Sequence, residues 1–108
     1  MHPDTTVFQE KVYAKLRDVP AGKVTTYGEL AKALGVNSAR AVGQALKNNP
    51  YSPEVPCHRV VASDGSIGGF MGSKDGETIA KKAALLRGEG VVVENGMVKD
   101  FSKLTHRF

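Results

Sequence analysis

Between Thr25 and Lys47 the chain has room for two short helices and a tight turn, and this pairing constrains the fold more than any other stretch. Thr26 and Glu29 have capping-box spacing, in which a hydroxyl takes a backbone N–H three residues on. Tyr27, Leu30, Ala31 and Leu34 then share one face, and Gly35 supplies a stop, so a helix is expected over 27–34. Asn37 or Ser38 can cap a following helix to about residue 47, with Val42 and Leu46 as its core contacts. Two short helices joined through a glycine turn read as helix-turn-helix. The pattern alone is shared with many helix pairs that never meet DNA.

The second of these helices carries more information than its periodicity. Arg40, Gln44 and Lys47 form a polar stripe bordered by Ala41 and Ala45. Arg40 falls in the first turn, where the helix dipole disfavours a cation by some tenths of a kcal/mol. That placement costs stability unless a partner outside the chain rewards it. The small residues Ala39, Ala41, Gly43 and Ala45 slim the helix, which suits a minor groove ~6 Å wide better than a helix ~10–12 Å across. They would equally permit close packing inside the protein.

Around this pair the chain supplies further short elements. Thr6 and Gln9 have capping-box spacing, and Phe8, Val12, Leu16 and Val19 recur at helical intervals, so a helix is expected over 7–19, ended by Pro20-Ala21-Gly22. Residues 59–62 are β-prone, Ser63-Asp64-Gly65-Ser66 reads as a turn, and Ile67 begins a short return strand. Asp75 can cap a last helix over 77–87. Val91 to Val93 and Met97-Val98, joined by Asn95-Gly96, read as a hairpin. Residues 100–108 read as a weakly held tail. The fold class expected is α/β, mostly helical, a winged helix-turn-helix-like DNA-binding domain with short β-hairpins. Residues 1–108 read as one domain, with no repeat and no dividing linker.

Fifteen basic against eleven acidic residues give a net charge of +4, which favours a polyanion over an acidic partner. No apolar run is long enough to span a membrane, so no membrane partner is expected. The single cysteine has no disulfide partner, which fits a reducing compartment: cytoplasmic, or nuclear in a eukaryote.

That cysteine, Cys57, sits in Val55-Pro56-Cys57-His58-Arg59-Val60. Two readings are open. Free cysteine is among the most buried residue types and packs as a small hydrophobe. A nucleophilic thiolate instead needs cations or hydrogen-bond donors, and here a proline fixes the backbone before the sulfur while a histidine and an arginine follow it. In an extended segment adjacent side chains point apart, so His58 would reach Cys57 only through a water or a local bend. A carboxylate would then orient the imidazole.

Pro56-Cys57-His58-Arg59-Val60 followed by Val61-Ala62-Ser63-Asp64-Gly65-Ser66-Ile67-Gly68 resembles the active-site segment of the O6-alkylguanine-DNA alkyltransferases. Ala39-Arg40-Ala41-Val42-Gly43-Gln44-Ala45, the Asn49-Pro50 pair and Thr25-Thr26-Tyr27-Gly28-Glu29-Leu30-Ala31 are similar to other segments of that family, in the same order. The resemblance implies transfer of an alkyl group from O6 of guanine in double-stranded DNA to Cys57, once per molecule, after the base is rotated out of the stack. It implies His58 as a base acting through water and Glu89 as the carboxylate that orients it. Taken alone, Glu89 reads as a solvated residue beyond a helix end. Asn49 would brace the helix pair against the active-site segment, Tyr27 would contact the flipped base, and Arg40 would fill the stack. Tyr27, Arg40, Ala41, Gln44 and Arg59 are the DNA contacts expected. Tyr27, Val60, Val61, Gly69, Phe70 and Met71 would line or border the pocket, and Lys82 would play a lesser part near it. No metal or cofactor is implied, and a monomer is expected.

The chain departs from the family pattern in three respects. No counterpart of the additional N-terminal domain of full-length members is expected, Gly69, Phe70 and Met71 differ from the usual pocket-loop residues, and about five extra residues lie between that loop and the last helix. Alkyltransferase-like proteins share the missing domain but replace the cysteine and transfer nothing. A lesion-binding sensor with a sluggish thiol is therefore the second reading. The third is a winged-helix transcription regulator with an incidental cysteine.

Overall fold

The computed structural model describes residues 3–51, 54–67 and 76–108. Its first helix, α1 (Val7–Leu16), opens on the capping box: Thr6 Oγ1 accepts from the Gln9 N–H and the Gln9 side chain accepts from the Thr6 N–H. It stops three residues earlier than expected. Asp18 and Val19 close i to i−3 hydrogen bonds instead, because Pro20 disfavours α geometry in the residue before it. Val19 is still fully buried, so its place in the hydrophobic pattern is kept.

Strand β1 (Thr25–Thr26) runs directly into α2 (Tyr27–Ala33), with Thr26 as the N-cap receiving the Glu29 N–H at 3.0 Å. Gly35, at φ +72°, carries the chain out of α2. Ser38, of the two candidate caps, accepts from the Ala41 N–H and opens α3 (Ala39–Lys47). Helices α2 and α3 pack on each other and on α1. Val12, Leu16, Leu30, Val42 and Leu46 form the centre of this helical core.

The remaining elements are short. Strand β2 (Val60–Val61) pairs with β1 in parallel, Thr25 against Val60 and Thr26 against Val61. Helix α4 (Gly76–Gly88) follows, then the hairpin of β3 (Val93–Glu94) and β4 (Met97–Val98) around Asn95-Gly96, as the dipeptide predicts. Successive residues of β2 point to opposite faces. Val60 therefore enters the helical core, whereas Val61 enters a second core with Val24, Ile67, Leu86 and Val98.

Two expectations need correction. Ile67 was expected to begin a return strand, of which residues 68–75 lie outside the described residues; Ile67 itself pairs elsewhere than β2. Its N–H goes to Gly96 O, and Ser66 bridges Met97, so this segment joins the hairpin. The C-terminal residues are not loosely held either. They form α5 (Phe101–Leu104), and Thr105 bridges Val24 in parallel. Among the described residues no helix is long and apolar enough to cross a membrane.

Candidate active site

Pro56, at φ −82° and ψ 68°, is the centre of an inverse γ-turn closed by Cys57 N–H donating to Val55 O at 2.8 Å. The proline ring presets that φ. Residues Cys57–Arg59 then form one 3-10 turn, with the Arg59 N–H on Pro56 O. The segment is thus bent where an extended one was expected. Side chains step about 120° per residue, so neighbouring groups are no longer opposed.

Val55 O also accepts from Asn49 Nδ2 at 3.2 Å, while Asn49 Oδ1 accepts from the Tyr51 N–H at 2.9 Å. Asn49 is buried just past the end of α3. One side chain therefore ties the helix pair to the turn that presents Cys57.

Behind the turn lies a partly buried ionic group. Arg59 donates through Nε to Glu89 Oε1 at 2.9 Å, through Nη2 to Glu89 Oε2, and through Nη1 to Val19 O at 2.7 Å. That carbonyl lies beyond the end of α1, so the arginine also pins the turn that follows the helix. Arg59 was an expected DNA contact; its guanidinium is instead spent inside the protein. Glu89 Oε2 lies 3.1 Å from His58 Nε2. Burial alone would raise the Glu89 carboxyl, but hydrogen bonds from Arg59 and His58 outweigh it and hold the group below its usual range. His58 is held below its usual value, by burial first and then by the charges of Arg59 and Lys82, against the upward pull of Glu89.

These two shifts fix the tautomer. An ionised carboxylate can only accept, so His58 Nε2 must carry the proton. The neutral ring then bears its lone pair on Nδ1. That atom is buried and has no protein hydrogen-bond partner among the described residues.

Cys57 is itself 5% exposed and belongs to the helical core. Its surroundings are not purely aliphatic. Lys82, 1% exposed on α4, donates to Val60 O at 2.7 Å, and burial pushes its pKa down to about 8 against the opposing pull of Cys57. Tyr27 is raised by burial and by the charge Cys57 can carry. Tyr13 is raised by burial first, and Cys57 again contributes. The Tyr13 hydroxyl donates to Ala45 O at 2.6 Å. Sequence reasoning missed Tyr13, although a polar-tipped aromatic on the core face of α1 needs such a partner.

Residues 7–91 match the family model described as 6-O-methylguanine DNA methyltransferase, DNA binding domain. The chain belongs to this family. It is 53% identical over 87 residues to a methylated-DNA–protein-cysteine methyltransferase of Thermococcus kodakarensis, covering 80% of this chain and 46% of that protein. A 42% identity over 88 residues relates it to a bifunctional methyltransferase/endonuclease of Picrophilus torridus, of which it spans 28%. The chain thus spans half or less of these relatives. Among solved structures, Mycobacterium tuberculosis OGT in complex with DNA superposes with a TM-score of 0.71 at 41% identity, over 79% of this chain and 50% of that one. S. pombe Atl1, in complex with damaged DNA containing O6-carboxymethylguanine, gives 0.78 at 34% identity over the whole of both chains.

The other residues that the family resemblance singled out differ in exposure. Arg40 and Gln44 are exposed on α3, with Ala41 half-buried between them, and Lys47 continues the exposed stripe. Ala45, expected to border that stripe, is buried in the core. Tyr27, half-buried, stands at the start of α2. Val60 and Val61 are fully buried, one in each core. Gly69, Phe70 and Met71 lie outside the described residues, as does the expected cap Asp75.

Proposed function

We propose that this protein acts in the repair of alkylated DNA by taking an alkyl group from O6 of guanine onto Cys57. The observation that carries the reading is the Arg59–Glu89–His58 chain, which ends on a neutral imidazole whose lone-pair nitrogen has no protein partner among the described residues. In this mechanism His58 Nδ1 takes the thiol proton through a water. The sulfur attacks the alkyl carbon, an S–C bond forms, and the C–O6 bond breaks. The electron pair leaves with guanine, which picks up a proton. The product thioether has no leaving group, so each molecule turns over once. Glu89 stabilises the imidazolium while it exists, and Lys82 favours the thiolate by charge.

The flipped base would enter beside Tyr27, and α3 would address the minor groove, with Arg40 occupying the vacated stack. The helix-turn-helix reads phosphate and groove shape more than sequence, so binding should weaken as salt rises. Double-stranded DNA carrying O6-alkylguanine is the partner proposed, and the protein would act as a monomer in the cytoplasm or nucleus.

A second reading has its own support. S. pombe Atl1, solved in complex with damaged DNA containing O6-carboxymethylguanine, superposes on this chain with a TM-score of 0.78. Under that reading the protein binds the lesion with little or no transfer. Nucleoside analysis of an O6-methylguanine duplex after incubation separates the two. Transfer restores one guanine per protein molecule and then stops. Lesion-selective binding with no guanine restored selects the sensor, and indifference to the lesion selects a DNA-binding regulator.

A further inference from the structure

Residues 92–108 lie beyond the match to the family model, which ends at residue 91. They nevertheless grip both segments that lead into the site. Val24 donates to Leu104 O at 3.0 Å and accepts from the His106 N–H at 2.6 Å. Thr25 Oγ1 donates to His106 O at 3.1 Å. The tail therefore lies along the edge of β1 opposite β2, a third parallel member of the ribbon. Val24 and Thr25 are both fully buried, so without this partner the Val24 backbone groups and the Thr25 hydroxyl would lose the mates they have here. The tail also touches α1, where Lys15 stands 5.7 Å over the Phe108 ring.

The second grip falls after β2. Val98 N–H donates to Gly65 O at 2.9 Å, and Ile67 N–H donates to Gly96 O at 3.0 Å. Phe101 packs so closely on Gly65, at φ +88°, that an added Cβ would stand 3.0 Å from its ring. Strand β1 passes into Tyr27 with no intervening loop, and β2 follows Cys57–Arg59 with none.

We propose that residues 104–106 are a positioning element: by closing the free edge of β1 they set where Tyr27 stands relative to Cys57. The proposal rests on the reading of Tyr27 and Cys57 as lesion contacts. It predicts that the tail governs lesion selectivity and not general duplex affinity.

The test uses the full chain with His106→Pro, which deletes the N–H donor, and Thr25→Val, which deletes the hydroxyl. His106→Ala keeps the backbone donor and serves as control. Amide hydrogen exchange is read in the free protein. Affinity is read for an O6-methylguanine duplex and for the same duplex unmodified. In His106→Pro, exchange over 27–31 should rise about tenfold with 41–47 unchanged, as a local opening requires. Preference for the lesion should fall about tenfold, the scale of one lost hydrogen bond, with unmodified duplex bound as before. Thr25→Val should show the same pattern more weakly, and it carries the test alone if the proline variant does not fold. His106→Ala should behave as wild type. Exchange that is unchanged, or that rises equally in both helices, overturns the proposal. A local rise in exchange, with no lesion preference even in the wild type, overturns the functional reading and upholds the link between tail and α2.

Discussion

The group behind Cys57 and the outer face of α3 spend their charges in opposite ways. Arg59, Glu89 and His58 are at most 17% exposed, and each is bound to the next. Arg40, Gln44 and Lys47 are exposed. The first arrangement fixes one imidazole in one tautomer. The second leaves long side chains free for a partner outside the chain. The difference fits the two roles proposed for them: a proton acceptor would be held still before substrate arrives, whereas a groove contact would be ordered by the DNA itself. Substitutions in the first region should therefore cost stability as well as transfer, and those in the second should cost binding alone.

The largest effect on stability should come from Lys82. Its pKa falls from 10.5 to about 8 through burial, so between those values the unfolded chain binds more protons than the native one. Stability should rise with pH across that window. At 1.36 kcal/mol per unit the gain is about 3 kcal/mol. Denaturant unfolding from pH 8 to 10.5 measures it, and Lys82→Met should flatten the curve while slowing transfer. A curve of the same slope in the variant would place the titration elsewhere.

Next comes Glu89→Ala, which leaves Arg59 and His58 partly buried without their carboxylate. We expect a loss of about 2 kcal/mol, between the values for exposed and for fully buried pairs. The single-turnover transfer rate should fall ~10²-fold, the low end for loss of acid–base assistance. A stable variant with full activity would detach the ionic group from the chemistry.

The acid limb gives a smaller signal. His58 titrates below its ordinary 6.5 because it is buried. As pH falls below that value the unfolded state gains its proton first, so stability declines. Glu89, held low, contributes above its ordinary 4.5 and is lost only as acidification continues through its native pKa. Transfer should decline on the same side, as Nδ1 loses its lone pair. His58→Gln should remove the first decline in stability.

Arg40→Ala should have the least effect on folding, within about 0.5 kcal/mol, as for most surface changes. It should still slow repair in duplex and leave a single-stranded lesion unaffected, since no stack needs filling there. Equal slowing in both substrates, or a lowered Tm, would break the contrast between the two regions.

How much of this was legible depended on range along the chain. The caps at Thr6, Thr26 and Ser38 were readable because each is a contact within three residues. The Asn95-Gly96 hairpin was readable for the same reason. The parallel pairing of Thr25 with Val60 was not, since strands of two residues leave no alternating pattern. Nor was the tail on Val24, where backbone atoms make the bonds and side-chain identity says little. At the site, Cys57 and His58 stood out through their neighbours, and Asn49 through the family resemblance. Glu89 looked like a solvated residue, and only the family resemblance pointed to its place beside His58. The pairing of Arg59 with Glu89, 30 residues apart, was hidden by that separation, and Arg59 was assigned to DNA.

The central claim is that Cys57 receives the alkyl group. Intact mass of the protein after incubation with an O6-methylguanine duplex tests it most directly. The account predicts a gain of one methylene, mapped by peptide analysis to Cys57 and abolished in Cys57→Ser. An unchanged mass under conditions where the duplex is bound would contradict it.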